Sequence, residues 1–346
     1  MTRVHQVLSG AGPVDAVTTQ ALEYRRAFCN WDIAGGLYAA AVEPAMRSQV
    51  ESLARLAPDP DDLLLFHYSA YAPRLEPLLA RPQRKLLVYH NVTPAEWLWE
   101  HQPHVATLCA LGRDHLPRWA QAVDVAAAVS KYNAAELRKA GASDVRVVPI
   151  LFDAARLDGA SAGAVATAAS GARILSVGRL APHKRPDLVL RAFALYRDAC
   201  DPDARLDMVG EPLSPRYESE LRAVAGRGVT IHGRVDQAVL DALFRSADVF
   251  VTLSEHEGFC VPLLEAFASD TPVVARPVGG MPEVGGDAVL WTEDRDLAVV
   301  AELIALTARD TELRSELVRR GRDQLDEYAA ERTLAKLREA VGAALG

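Results

Sequence analysis

The sequence predicts an α/β protein built from two Rossmann-like domains, each a doubly wound parallel sheet. Two observations lead to this prediction. The chain has 346 residues and 50% of them are hydrophobic, which is enough for two domains that each bury their own core. Short apolar runs typical of buried strands alternate with helix-periodic stretches along the chain. Such alternation is the pattern of parallel sheets covered by helices on both faces.

A stretch of small residues near the middle separates two runs of strand and helix. Residues 159–171 are mostly alanine, glycine and serine without apolar periodicity, which is typical of a linker. We therefore predict a first domain over residues 1–158 and a second over residues 172–328. Residues 329–346 carry an apolar helical stripe of their own, and we expect this last helix to pack back onto the first domain.

The composition limits the classes of partner and cellular location. A formal net charge of −8 argues against a nucleic-acid partner, which would require a basic face. The four cysteines are scattered without a close pair, as in a reduced cytosolic protein. No run reaches the ~18 to 20 apolar residues of a membrane span. We expect a cytoplasmic protein; Arg25, Arg26 and Arg47 leave peripheral contact with the inner membrane face open, and the oligomeric state is not predicted.

Six apolar runs in the first half predict strands. A glycine loop with Gly10 and Gly12 follows the first run and precedes a predicted helix that starts at Asp15. The full dinucleotide-binding fingerprint is missing, so this loop by itself indicates a tight turn rather than a phosphate site. The six runs cover residues 3–8, 33–39, 63–68, 85–90, 123–129 and 145–150.

Two predicted strands of the first half carry a histidine near their end. His67 is next to last in one run, and His90 closes the next, where Asn91 begins a polar turn. Because the carboxyl ends of parallel strands border the ligand crevice of a doubly wound sheet, both histidines are candidates for substrate contact or proton handling. A single histidine at a strand end is more often structural, and this alternative stays open for His67 above all.

The second half opens with a strand, a glycine turn and two cations. Gly178 permits close backbone approach to a ligand, Arg179 offers a fork of donors, and Lys184 supplies a mobile charge just before the next helix. This combination suits a diphosphate, although the same turn in isolation would be interpreted as a solvated loop. The following strands end at Gly210–Glu211 and Arg234–Val235 and would approach the same edge of the sheet.

The stretch from Ser254 to Ala266 places two carboxylates near one another. Glu257 lies on a loop after a buried strand, and Glu265 lies about a turn into the following apolar helix. The start of that helix, at Cys260, offers backbone N–H groups and a partial positive charge. The pattern predicts an anionic ligand that is rich in hydroxyl groups.

Four motifs of the second half resemble the retaining glycosyltransferases of family 4, which have the GT-B fold. The first domain resembles this family more loosely, and residues 10–15 and 149–153 depart from its usual pattern. The resemblance implies two Rossmann-like domains that face a central cleft. The motifs, in family order and spacing, are residues 177–184, 231–235, 257–266 and 278–283.

The resemblance also implies a reaction. A sugar would move from a nucleotide-sugar donor, with a UDP- or GDP-sugar expected, to a hydroxyl group of a sugar, lipid-linked or small-molecule acceptor. The configuration at the anomeric carbon would be retained. No metal and no cofactor would be required, since the nucleotide-sugar is a substrate. The acceptor, and so the pathway of bacterial glycan, glycolipid or natural-product synthesis, is left open.

By the same resemblance, particular residues receive roles. Arg179 and Lys184 would hold the donor diphosphate, Glu257 would orient the transferred sugar, and Glu265 would bind the ribose. His90 would contact the donor sugar and act in catalysis with Arg179, Lys184 and Glu257. The remaining donor-side residues would be Gly178, Gly210, Glu211, Arg234, Val235, Gly258, Phe259 and Cys260, and the acceptor side would comprise Gly10, Gly12, Asp15, His67, His90 and Asn91.

Two other functions and a metal site are possible alternatives for such a sequence. A nucleotide-sugar 2-epimerase of similar fold would not be expected to combine the two glutamates with the Gly-Arg-Leu turn. A non-catalytic nucleotide-sugar-binding subunit would be expected to have lost the diphosphate and glutamate positions, which are all present here. The Asp-x-Asp patterns at residues 59–61 and 201–203 lie in loops that contain proline, and we interpret them as chance rather than as metal ligands.

Overall fold

The computed structural model describes residues 2–13, 15–154 and 171–346. Residues 159–170 of the predicted linker, together with the predicted boundary at residue 158, lie outside this description. The chain divides into two compact units. The first comprises Met1–Glu96, His104–Leu151 and Ala330–Gly346, and the second comprises Trp97–Pro103 and Phe152–Ala329.

The first unit contains a seven-stranded sheet in the order β3-β2-β1-β4-β5-β6-β7. All of its strand pairs are parallel. The chain moves from β1 outward through β2 to β3 and then returns to the other side of β1, so the topological switch point lies between β1 and β4. The strands are β1 (Val4–Leu8), β2 (Ala34–Ala39), β3 (Glu51–Ser52), β4 (Leu63–Tyr68), β5 (Arg84–Tyr89), β6 (Val125–Ala128) and β7 (Val145–Val147), and the helices between them are α1 (Ala16–Asn30), α2 (Pro103–Ala122) and α3 (Lys131–Lys139).

The second unit contains a six-stranded sheet in the order β10-β9-β8-β11-β12-β13. Its strand pairs are also parallel. The direction of winding reverses between β8 and β11, which places a second switch point there. The strands are β8 (Arg173–Val177), β9 (Arg205–Val209), β10 (Val229–Gly233), β11 (Val249–Thr252), β12 (Val273–Ala275) and β13 (Val289–Trp291), and the helices are α4 (Pro186–Ala199), α5 (Pro215–Val224), α6 (Gln237–Ser246), α7 (Val261–Ala268), α8 (Met281–Gly285), α9 (Leu297–Arg309) and α10 (Thr311–Glu327).

The C-terminal helix α11 (Ala330–Leu345) belongs to the first unit. Its apolar face buries Leu337 and Val341 in the same core cluster as Leu65 of β4 and Val88 of β5. Because all six residues of β4 are buried, the sheet needs apolar cover on its faces, and α11 supplies part of it.

The local sequence explains where several elements begin and why two strands were not predicted. Asp310 separates α9 from α10 and caps α10, because its carboxylate accepts from the backbone N–H groups of Glu312 and Leu313. Helix α2 starts at Pro103, and proline is favoured in the first turn of a helix. Two strands, β3 and β13, were missed because two and three residues are too short for a recognisable apolar run. None of the described helices is both long and apolar enough to cross a membrane.

Candidate functional site

The turns after β8, β9 and β10 lie against one another, backbone to backbone. The N–H of Gly178 donates to the carbonyl of Val209 at 3.0 Å, and the N–H of Gly210 donates to the carbonyl of Gly233 at 2.8 Å. A Cβ atom on Gly210 would lie 1.8 Å from the carbonyl oxygen of Gly178, and the φ of Gly210 is +149°. Glycine is therefore required for these turns to meet at the sheet edge.

A buried ion pair joins the two sides of the second switch point. Lys184 ends a short 3₁₀ turn after β8, and its Nζ donates to Oε1 of Glu257 at 2.5 Å. Ser254, which follows β11, donates its hydroxyl to the same oxygen at 2.9 Å. The side chains of Lys184 and Glu257 are 26% and 7% exposed. Both of these bonds end on Oε1, and no described residue donates to Oε2 of Glu257. Oε2 can therefore accept hydrogen bonds from a ligand.

The backbone of Glu257 is held by the loop after β12. The N–H of Gly280 donates to the carbonyl of Glu257 at 3.0 Å. At Gly279, where φ is +57°, a Cβ atom would come within 2.0 Å of that same carbonyl oxygen. Phe259 is buried, and its ring meets that of Tyr328 edge-on at 5.5 Å. The loop that carries Glu257 is thus fixed on both sides.

The start of α7 places the uncharged thiol of Cys260 near Glu265, the residue predicted to bind the ribose. Cys260 precedes α7 with φ +78°, a conformation that favours glycine. Burial, and then the charge of Glu257, raise the pKa of the Cys260 thiol well above its usual value, and Glu265 adds to this effect. Glu265 is itself 7% exposed. The thiol is therefore protonated at neutral pH and is a poor nucleophile.

The cations of this site differ in how they are engaged. Burial alone would lower the pKa of the Lys184 ammonium, but the nearby Glu257 carboxylate outweighs it and raises that pKa. Arg179 is exposed and has no partner among the residues that the structure describes. Burial, assisted by the charge of Lys184, lowers the pKa of His183 to about 2. The edge of the sheet therefore offers one open guanidinium and one ammonium to an anion, beside a neutral imidazole.

In the first unit, three polar side chains form a hydrogen-bonded row across β1, β4 and β5. Nε2 of His67 lies 2.9 Å from Oε1 of Gln6, and Nδ1 of His67 lies 2.9 Å from Nε2 of His90. His67 is buried, whereas His90 is partly exposed at the end of its strand. Burial lowers the pKa of both rings, that of His90 to about 4, and the neighbouring His90 lowers the pKa of His67 further. Both histidines are neutral at pH 7.

Asn91 is held in a left-handed conformation directly after His90. Its φ is +80°, and its side-chain amide donates to Oδ1 of Asn133 at 2.8 Å and to Oε2 of Glu136 at 3.1 Å. Glu136 also accepts from the hydroxyl of Tyr89 and from Arg113. This network fixes the chain where it leaves β5 and so fixes the position of His90.

The glycine loop after β1 is arranged as a helix start. Asp15 caps α1, because its carboxylate accepts from the N–H of Thr18 at 2.9 Å and from the Thr18 hydroxyl at 2.7 Å. A Cβ atom on Gly12 would lie 2.5 Å from the carboxylate of Glu43, while at Gly10 the nearest atom would be 3.9 Å away. An acidic side chain beside this loop favours a hydroxyl group over a phosphate there.

One group of side chains in the described part of the chain has metal-ligand types close together. Ligand atoms of Glu100, His101 and Glu220 lie within 4.8 Å of one another. Arg216, however, pairs with both carboxylates, so a cation would have to displace a guanidinium. In the second Asp-x-Asp pattern, Asp201 accepts from the N–H of Ala172 at 2.8 Å and thus stabilises a turn.

The predicted residues therefore fall into two groups, one in each unit. In the second unit, the turns at Gly178, Gly210 and Gly233 and the Lys184–Glu257 pair meet at the edge of one sheet. In the first unit, His67 is the next-to-last residue of β4, His90 and Asn91 follow β5, and the glycine loop follows β1. The sequence interpretation missed Gln6 and gave Ser254 no role. Gln6 could have been found, since a polar amide within the apolar run of β1 needs a buried partner.

A known family of proteins matches the sequence of the second unit. Residues 165–324 match the family model described as glycosyl transferases group 1. Most of the second unit therefore matches glycosyl transferases group 1.

Two curated sequence relatives are also glycosyltransferases by name. The chain is 30% identical over 222 residues to the D-inositol 3-phosphate glycosyltransferase of Salinispora arenicola, covering 61% of this chain and 50% of that protein. It is 37% identical over 186 residues to the protein of the same name from Geodermatophilus obscurus, covering 49% of this chain and 40% of that protein. The chain thus spans about half the length of these curated relatives, or less.

Solved structures match nearly the whole chain. HepE from Anabaena aligns with a TM-score of 0.75 at 17% identity, covering 99% of this chain and 100% of HepE. Sucrose-phosphate synthase from Thermosynechococcus elongatus aligns with a TM-score of 0.76 at 15% identity, covering 99% and 98%. These likenesses confirm the predicted fold class of two Rossmann-like parallel sheets, as in GT-B proteins.

Proposed function

We propose that this protein is a retaining glycosyltransferase that moves a sugar from a nucleotide-sugar donor to a hydroxyl group of an acceptor. The family match of the second unit supports glycosyl transfer in general. The observation that carries the proposal further is the Lys184–Glu257 pair at the switch point of the second sheet. Ligands of doubly wound sheets bind at such points, beyond the carboxyl ends of the strands.

The residues around this pair suit a sugar diphosphate. Arg179 and Lys184 are the cations for the diphosphate, and charge-assisted hydrogen bonds to phosphate are stronger than neutral ones. Glu257, with Oε1 held by Lys184 and Ser254, presents Oε2 to the hydroxyl groups of the sugar. Glu265, carried on α7, would bind the ribose. The cations would also stabilise the charge that develops on the departing diphosphate.

Retention in this proposal proceeds by displacement on one face of the sugar. The bond from the anomeric carbon to the diphosphate oxygen breaks, and a bond to the acceptor oxygen forms on the same face. The acceptor's proton passes to the departing phosphate oxygen. A retaining enzyme with a covalent intermediate needs a second carboxylate as nucleophile, but Glu257 and Glu265 are assigned here to binding and Cys260 is protonated. Because Arg179 and Lys184 supply the positive charge, we expect activity to persist in the presence of a chelator.

Two comparisons suggest which donors and acceptors to try first. HepE from Anabaena is described in complexes with UDP and glucose and with UDP-glucose, which favours a UDP-sugar for this chain. GDP-sugars are the second class to test. The curated relatives are D-inositol 3-phosphate glycosyltransferases, so inositol 3-phosphate belongs in the acceptor panel with simple sugars and lipid-linked sugars.

Calorimetric titration tests this proposal. UDP, GDP, UDP-glucose and GDP-mannose are titrated into the wild type, Lys184→Ala and Lys139→Ala, where Lys139 is an exposed lysine of the first unit. We expect one nucleotide class to bind, and Lys184→Ala to weaken it about 10- to 100-fold, the range of a charge-assisted hydrogen bond. Lys139→Ala should bind as the wild type does. If no nucleotide or nucleotide-sugar binds, including ADP- and dTDP-sugars with acceptors present, the protein is not a glycosyltransferase.

A further inference from the structure

The side chain of Gln6 has a defined orientation within β1. It is 1% exposed, and its Nε2 donates to the carbonyl oxygen of Ala21 at 2.9 Å. A carbonyl oxygen can only accept, so the amide nitrogen must face α1. The amide oxygen Oε1 therefore faces the other way, toward β4, and acts as an acceptor.

This orientation determines where the protons of the two histidines lie. Oε1 of Gln6 is 2.9 Å from Nε2 of His67, so that nitrogen must carry a hydrogen. In a neutral ring, Nδ1 of His67 is then a lone-pair acceptor, and Nε2 of His90 at 2.9 Å must donate to it. Nδ1 of His90 is left as a lone pair. This atom has no hydrogen-bond partner among the described residues, and the His90 residue is partly exposed.

We propose that Gln6 is a positioning residue that acts through His67 to hold His90 in the tautomer with Nε2 protonated. His90 then presents the Nδ1 lone pair to a hydroxyl group of the sugar substrate. The second part of this inference rests on the proposed function. A lone pair accepts from a hydroxyl group but repels a phosphate oxygen, so His90 selects the sugar rather than the diphosphate.

The surroundings of the row keep both rings neutral. From α1, the ring of Tyr24 lies 5.9 Å from that of His67, and its hydroxyl is fully buried. From β5, His90 is the neighbouring titratable group, and from β1 the neighbour is the uncharged Gln6. Burial lowers the pKa of both histidines, so one tautomeric arrangement persists through neutral pH.

Nitrogen NMR of this 346-residue chain, labelled with ¹⁵N at its 9 histidines, tests the tautomers directly. His67→Asn and His90→Asn identify the two sets of resonances. We expect Nδ1 of His90 to have the shift of an unprotonated nitrogen and Nε2 that of an N–H. A protonated Nδ1 in the wild type would overturn the proposal.

Three variants test the part played by Gln6. Gln6→Met removes the acceptor, and we expect the minor tautomer of His90 to rise about fivefold, the factor of one ordinary hydrogen bond. Tyr24→Phe is the matched control, since it alters a side chain beside His67 outside the row and should leave the shifts unchanged. If Gln6→Met does not fold, Gln6→Glu answers the question, because a carboxylate at this site should make the histidine pair titrate at higher pH than in the wild type. Two results would refute the role of Gln6. The histidine nitrogen shifts of Gln6→Met would match those of Tyr24→Phe, or the histidine pair of Gln6→Glu would titrate at the same pH as in the wild type.

Ligand addition tests the hydroxyl group separately. UDP-glucose should move the Nδ1 resonance of His90, while UDP alone should leave it within error. Equal shifts with both ligands would show that the nucleotide, not the sugar, contacts the ring. If neither ligand binds, the hydroxyl assignment fails together with the proposed function, whereas the tautomer measurement needs no ligand and is judged by itself.

Discussion

Replacing Lys184 with methionine should destabilise the second unit, because it leaves a buried carboxylate without its cation. Removal of one partner of a buried ion pair typically costs about 3–5 kcal/mol. Two features reduce this figure here: Lys184 is 26% exposed, and Ser254 still donates to Glu257. We therefore expect Lys184→Met to lower the free energy of unfolding by about 2–3 kcal/mol, which is roughly 4–12 °C in melting temperature for a unit of this size.

The double variant Lys184→Met/Glu257→Gln separates stability from ligand binding. Both charges are gone, so most of the lost stability should return, since a neutral buried pair carries no uncompensated charge. Binding of the nucleotide diphosphate should not return, because the cation proposed to contact it is still missing. Urea unfolding measures the first quantity and calorimetry the second. The reasoning is wrong if Lys184→Met unfolds like the wild type, or if the double variant binds nucleotide as tightly as the wild type.

The raised pKa of Lys184 determines how the difference in free energy of unfolding between the wild type and Lys184→Met depends on pH. A raised folded-state pKa means that the charged lysine stabilises the folded state fully below its unfolded value of 10.5, and that this contribution is lost as the pH rises through the folded-state pKa. The difference between the wild type and Lys184→Met should therefore be constant from pH 6 to 9 and should shrink only in strongly alkaline solution.

Three further predictions concern packing and protonation. Gly279→Ala should lower the free energy of unfolding by several kcal/mol and abolish most nucleotide binding, because its Cβ would overlap the carbonyl of Glu257. At Gly226 a Cβ would meet no atom within 4 Å, so the free energy of unfolding of Gly226→Ala should lie within about 0.5 kcal/mol of the wild type. Leu337→Ala in α11, where Leu337 is 0% exposed, should cost about 2–5 kcal/mol in urea unfolding of the first unit, and a smaller loss would mean that α11 does not close that core. Burial lowers the pKa of His90 from 6.5 to about 4, so the folded state binds fewer protons there than the unfolded state does. The free energy of unfolding should therefore fall by up to about 3 kcal/mol as the pH drops from 6.5 to 4. In His90→Asn this fall should be smaller, and an equally large fall would contradict the lowered pKa of His90.

The sequence predicts the strands well where burial imposes a long apolar run. β4 and β5 are six residues each and almost entirely buried, so their composition identifies them and places His67 and His90 at their ends. β3 and β13 are too short for such a signal. The fold class follows from the alternation of runs and is confirmed, while the roles of the site residues stay predictions.

The ion pair of the second unit could not be read from the sequence. Lys184 and Glu257 are 73 positions apart, and a pattern of strands and helices does not state which strands are neighbours. Only the winding reversal, which places β8 beside β11, brings them together. The same holds for Gln6 and His67, whose contact depends on β1 lying beside β4. Sequence periodicity gives each strand its faces, but pairing between distant strands depends on the whole sheet.

The two groups of polar residues differ in charge, and this difference bears on what each can bind. At the second switch point, Arg179 and Lys184 are cations, and they suit phosphate. In the first unit, burial keeps His67 and His90 neutral, and Asn91 has no charge to gain or lose. Neutral acceptors discriminate hydroxyl groups from phosphates, because a phosphate oxygen brings no proton to share. The second unit therefore carries a cationic group of side chains that suits phosphate, and the first unit carries a neutral group that suits hydroxyl groups.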